Sequence, residues 1–187
     1  MSIFKKILIA MVFMGSAAHA SVGVNVGVGF PFLGQAGVNY VMSDMFSFSV
    51  GYNTLDLSSG DASVKITMPE AMFNFHPFSG SFFLGAGVGQ NDLEVTAIET
   101  STSTEVKAEV STLATIIKAG WMWGIDNGGF WFGVDTSFVS PSSPEVTITA
   151  PGVPTSSQEY KDVVDAAETY GETSFANITF ARIGYLF

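Results

Sequence analysis

Three charged side chains stand inside runs that are otherwise apolar and alternating. Lys118 lies in Leu113-Ala114-Thr115-Ile116-Ile117-Lys118-Ala119-Gly120-Trp121, Asp135 lies between Phe130 and Phe138, and Arg182 lies in Phe180-Ala181-Arg182-Ile183-Gly184-Tyr185-Leu186-Phe187. Two cations and a carboxylate can form an internal ion cluster, and burying any one of them without a partner is costly. Lys118 is six residues before Gly124, Asp135 six after Gly129 and Arg182 five before the chain end. If these three segments are neighbouring strands, the charges share one depth and Lys118, Asp135 and Arg182 meet, with Asn25 of the first strand alongside. Such a cluster is either a rigidifying plug or a small-ion gate, and its excess positive charge calls for a further acid that the pattern does not place. Other chemistry is poorly represented. The chain has no Cys, and the acidic residues Asp56, Asp61, Asp92, Glu94 and Glu99 lack the spacing of a calcium loop, so no metal site and no cofactor is expected. The glycines of Gly85-Ala86-Gly87-Val88-Gly89 alternate within a strand and precede no helix or Gly-Lys-Ser, which excludes a phosphate loop.

The elements that hold these residues follow from the patterning. Of 187 residues, 47% are hydrophobic and only 13% charged, yet the only long apolar run is at the start. Residues 1–20 read as a signal peptide: Lys5 and Lys6, the apolar stretch Ile7 to Phe13, then Ala18-His19-Ala20 as the cleavage site. Cleavage leaves residues 21–187 as a single domain. It also leaves five basic against 17 acidic side chains, a formal charge of −12 that excludes nucleic-acid binding through phosphate contacts.

From Ser21 onward the period is two. Val22-Gly23-Val24-Asn25-Val26-Gly27-Val28-Gly29-Phe30 places every large residue on one face and Gly or Asn on the other. Eight strands are expected, at 21–30, 34–42, 45–54, 63–76, 81–91, 108–123, 129–140 and 172–187. In the fourth, Val64, Ile66 and Met68 share a face that passes to Ala71, Phe73 and Phe75 after Pro69-Glu70, which reads as a bulge or as the end of a membrane-embedded part. Tight turns follow strands two, four and six, and longer connections follow three, five and seven. Beside the tight turns stand Tyr40, Phe75, Trp121, Trp123 and Phe130, an aromatic girdle at headgroup level. Together these features describe an all-β, eight-stranded antiparallel up-and-down transmembrane barrel, closed because lipid leaves no unpaired edge tolerable.

The longest connection, 140–171, holds a helical stripe. Tyr160, Val163, Val164 and Ala167 fall at i, i+3, i+4 and i+7, Ser156 and Glu159 suit a capping box, and Gly171 is placed to end the helix. It reads as a short helix on the barrel rim or a lid over the lumen.

The chain resembles the small eight-stranded outer-membrane barrels of Gram-negative bacteria, of the OmpA transmembrane-domain and OmpX type, as a barrel-only member. The element carrying the resemblance most specifically is Ile183-Gly184-Tyr185-Leu186-Phe187, similar to the terminal assembly signal of that group, with Ile183, Tyr185 and Phe187 as its apolar row. The resemblance implies an integral outer-membrane location, contact with outer-membrane lipid and lipopolysaccharide, and recognition by the barrel-assembly machinery. It names no activity. The expected function is non-enzymatic, a structural or surface-interaction role through segments 53–63, 90–108 and 140–171. The alternative is a narrow passage for small or hydrophobic solutes, and a lipid-modifying enzyme comes third. His76 is the only histidine after cleavage, in the turn Asn74-Phe75-His76-Pro77-Phe78, far from the serine-rich loops of the opposite end. It is expected as a turn and interface residue, too far from those serines to form a nucleophilic pair with them.

Overall fold

The computed structural model describes residues 21–60, 62–99, 104–125, 128–149 and 154–187. The expected signal peptide and the middle of the Glu99–Glu105 run lie outside the described residues. Eight strands form a closed antiparallel barrel in sequence order: β1 Ser21–Phe30, β2 Gly34–Ser43, β3 Phe46–Ser59, β4 Ala62–Phe75, β5 Phe82–Glu99, β6 Thr104–Trp123, β7 Gly129–Thr149 and β8 Phe175–Leu186. One helix, α1 (Gln158–Glu172), lies between β7 and β8. No helix among the described residues is long and apolar enough to cross a membrane.

Closure is made by β8 on β1, from Gly23 opposite Leu186 to Phe30 opposite Ile178, with one register shift between Val28 and Gly29. Alternation does the rest. Val24, Val26, Val28 and Phe30 point outward and are exposed, as are Leu113, Ile117, Phe138 and Ile183, while their odd or even neighbours turn inward. Exposed large apolar side chains around a complete barrel form a hydrocarbon-facing belt, and ten residues of β1 suffice for its height. Trp121, Trp123 and Phe130 are exposed at its lower margin, with Phe75 partly covered. Tyr40 shares the outward face of Val22 and Phe48 but is only 8% exposed, so neighbouring side chains cover it.

Five strands are longer than their apolar belts. β3 to β7 continue to Ser59, Glu99 and Thr149, well past the expected ends at 54, 91 and 140, so most of the expected loops are sheet. Above the belt the polarity of the two faces reverses. Leu55, Ile66, Leu93 and Val110 lie opposite one another across β3, β4, β5 and β6 and point inward. Asp56, Lys65, Glu94 and Glu109, one residue along, point outward to water. The change of apolar face at Pro69-Glu70 is this reversal. β4 keeps one register with both neighbours through it, so no bulge exists there; the sequence keeps its period while the solvent changes from lipid to water.

Bulges occur elsewhere. β8 carries one between Thr179 and Arg182, seen from both β1 and β7, and β7 carries one between Ser142 and Glu145. In the connections, α1 starts one residue later than expected. Its N-cap is Ser157, which accepts from Tyr160 N at 3.2 Å, and the helix passes through Gly171 to end at the Thr173 cap. Gly171 therefore does not stop the helix; a side chain there would collide with Pro144 and Val110, so its role is close packing.

Candidate functional site: the filled lumen

The barrel interior is stacked in three layers. At the turn end, Phe83, Met122, Ile125, Trp131 and Leu186 close the floor. The indole of Trp131 lies over Gly184, where any Cβ would overlap it. At the opposite end, Phe32, Leu55, Ile66, Met68, Leu93, Val110, Ile116 and Val139 form an apolar cap completed by Val163 and Ala167 of α1. Tyr160 and Tyr170 pack against that cap, whereas Val164 stays at its margin; the buried stripe is Tyr160, Val163, Ala167 and Tyr170. The Tyr170 hydroxyl donates to Asn91 Oδ1 at 3.1 Å, and burial pushes its phenol above the ordinary range, opposed by that hydrogen bond.

Between these layers lie the charges. Lys118, Asp135 and Arg182 all point inward and meet. Arg182 Nη2 is 3.1 Å from Asp135 Oδ2, and Lys118 Nζ is 4.0 Å from Asp135 Oδ1. The fourth member is Glu70, whose Oε1 is 2.6 Å from Lys118 Nζ. Lys118 and Glu70 are 3% and 5% exposed. Two cations face two carboxylates, so the cluster is neutral, the condition under which buried charge is tolerable in a membrane. Asn25 lines the same space beside Arg182 and Glu70, without a hydrogen bond to either among the described contacts.

Cross-strand glycines make room for these side chains. Glu70 lies between Gly51 and Gly89, Arg182 between Gly27 and Gly133, Lys118 faces Gly85 and Asp135 faces Gly120. The β8 bulge serves the same cluster. It shifts the inward face from Arg182 to Thr179 instead of Phe180, so Asp135 accepts from Thr179 Oγ1 at 3.0 Å while Arg182 takes its other oxygen. Arg182 Nη2 donates to Gln35 Oε1 at 3.3 Å, and Thr179 Oγ1 lies 3.1 Å from the same oxygen, its single proton being shared between Asp135 and Gln35. The space left between Asn25, Gln35, Asn39, Glu70 and Arg182 is about 10 Å³, room for one water at most.

Two of these residues escape a reading of the sequence. Glu70 is hidden because its strand looks as if it changes phase; one continuous parity from Val64 to Asn74 puts it inward, between glycines on both flanking strands. Thr179 needs the bulge, which no residue type announces. His76 stands in the turn after β4, as expected, and has a neighbour that the sequence does not single out. It has a serine partner, Ser47 of β3, with Oγ 3.2 Å from Nε2, while Nδ1 faces the Gly80 carbonyl at 3.0 Å. Both side chains are buried, and Asn74 Nδ2 donates to the same Ser47 Oγ.

No protein-family model matches the chain, and no curated protein sequence does. Solved structures do match. A major outer membrane protein from Thermus thermophilus superposes with a TM-score of 0.56 at 13% identity, covering 90% of this chain and 98% of that one. CarO from Acinetobacter baumannii superposes with a TM-score of 0.51 at 14% identity, covering 89% and 98%. The chain has the fold of the small eight-stranded outer-membrane barrels. Its apolar belt and closed edges are those of an integral membrane protein of that kind, and at these identities the likeness extends to the fold.

Proposed function

We propose that this protein is a non-conducting, non-enzymatic outer-membrane barrel with a structural and surface-interaction role, its extracellular half being the working part. The observation that supports this reading most is the three-layer filling of the lumen. An eight-stranded barrel has an interior that its own side chains can fill or that can hold one small ligand; here an apolar floor, a neutral and hydrogen-bonded charge layer and an apolar cap sealed by α1 occupy it in turn. The Ser47–His76 pair is buried, and the Nδ1 side of the ring meets a carbonyl rather than an orienting carboxylate, which favours a structural knot over a nucleophile.

Planar-bilayer recording of the purified barrel tests the reading. No steady conductance above the bare-membrane level is expected across salts and voltages, and none after Arg182→Ala. A stable conductance that changes with Arg182→Ala would overturn the proposal in favour of a passage protein.

A further inference from the structure

The five-stranded wall formed by β3 to β7 above the belt has two sides that no further strand covers among the described residues. β2 pairs with β3 only up to Thr54, and β8 pairs with β7 only up to Val139. Uncovered strand edges are templates for further pairing, and the two edges here are treated differently. On β7 the stretch above Val139 contains Pro141 and Pro144, which have no N–H to offer, and α1 packs along it with Gly171 against Pro144. On β3 the stretch 55–59 has no proline, and α1 leans the other way, on β5, β6 and β7. Asp56, Leu57, Ser58 and Ser59 are exposed, and Leu57 is an apolar side chain 52% open to water. Among the described residues, no hydrogen bond reaches this stretch apart from its ladder with β4.

The groups on offer follow from the register. Ser59 pairs with Ala62 across a two-residue turn with Gly60 at φ 57°, so the pairs 59/62, 57/64 and 55/66 exchange the ladder's hydrogen bonds. Asp56 and Ser58 must then aim their N–H and C=O groups away from β4, continuing the row that Thr54 gives to β2. Asp56 stands directly opposite Lys65 on β4, and the charge of the water-facing segments as a whole is one-sided. Segments 54–67, 90–111 and 141–174 together hold 13 acidic and three basic side chains, a formal charge of −10. A second copy of this chain would bring the same charge to the edge, whereas a basic segment would be attracted to it.

We propose that the free edge of β3, at Asp56 and Ser58, is a strand-addition site for an extended, basic polypeptide segment of another protein. The added strand takes main-chain hydrogen bonds from Asp56 and Ser58, sets a lysine or arginine near the Asp56 carboxylate and lays alternate apolar side chains beside Leu57. This deepens the surface-interaction reading and rests on it.

The probe is a fluorescent peptide of alternating lysine and valine, titrated by anisotropy against the full barrel in detergent micelles. The control is the same peptide with alternate backbone amides N-methylated, which keeps its charge and loses its ladder. Ser58→Pro removes a donor from the free edge while sparing the β4 ladder, because the 58/63 pair is not one of the hydrogen-bonded ones. Binding is expected for the unmodified peptide, weakened at least tenfold by N-methylation and by Ser58→Pro, and weakened several-fold by Asp56→Asn with a shallower salt dependence. Equal binding of the N-methylated peptide would overturn the proposal and leave only charge attraction to the acidic surface. Absence of binding, or cross-linking of two barrels through Ser58→Cys in place of peptide capture, would also overturn it. Any of these leaves the non-conducting reading standing, since that depends on the bilayer recording alone.

Discussion

Replacing Glu70 with alanine leaves the Lys118 ammonium buried with only Asp135, at 4.0 Å and already shared with Arg182, to answer it. Removing one partner of a buried pair costs about 3–5 kcal/mol, because the remaining charge keeps its desolvation penalty. Glu70→Ala is therefore expected to destabilise the folded barrel by that amount in urea titrations, while Glu70→Leu combined with Lys118→Met recovers most of it. If the double variant is as unstable as Glu70→Ala, stranded charge is not the cause. At this scale the sequence is legible where a residue breaks its surroundings. Lys118, Asp135 and Arg182 each stand in an apolar run and are visible for that reason. Glu70 stands beside a proline at the level where the apolar side of the strand changes, so its oddness reads as a backbone feature instead. The glycines opposite it are informative only once the register is known, because strand pairing is a long-range property.

Among the elements, strand identity and order are readable from period two, and strand length is not. A strand leaving the membrane keeps its alternation but exchanges the meaning of its faces, and that exchange looks like an ending. Thr54, Gln90 and Ser111 are polar and outward at that level, and β3, β5 and β6 continue beyond them as the wall of a water-facing sheet with an apolar interior. The helix is readable as an amphipathic stripe; its cap moves by one residue because two adjacent serines offer the same chemistry. The dock of α1 also carries a pH dependence. The Tyr170 phenol is held above its usual range by burial, so the docked helix binds its proton more tightly than the released one. Tyr170's contribution to docking is then fully present below about pH 10, the phenol's ordinary value, and is lost as pH rises beyond it. Limited proteolysis within 154–174 should accelerate above that pH in the native chain, and Tyr170→Phe should remove the acceleration. An equal rise in the Phe variant would place the sensitive group elsewhere.

For the whole molecule, charge is sorted by height. The lumen layer sums to zero, and by sequence the segments 54–67, 90–111 and 141–174 account for −10 of the −12 carried by residues 21–187. Lys107 offsets part of this locally, sitting 3.1 Å from Glu94 and 3.0 Å from Glu109, and its hydrogen bonds to Glu109 and Glu94 hold its ammonium pKa above the usual value. The rest is unscreened except by salt, over about 10 Å at 0.1 M. Proteoliposomes of neutral lipid with this half outward should capture polylysine at low ionic strength and release most of it once the Debye length falls to a few ångströms, at about 1 M salt. Inside-out vesicles should capture little. Equal capture by both orientations would mean the charge is not sorted as described.

The unequal strand lengths have one more consequence. With β3 to β7 tall and β8, β1 and β2 ending near the belt, the rim is cut obliquely, and the molecule has a front and a back as seen along the barrel axis from the tall end. A neighbour in the same membrane meets a wall from one side and a low sill from the other. Turning the barrel about its own axis therefore changes what it presents, so in a crowded bilayer its bearing toward the proteins beside it matters as much as its depth.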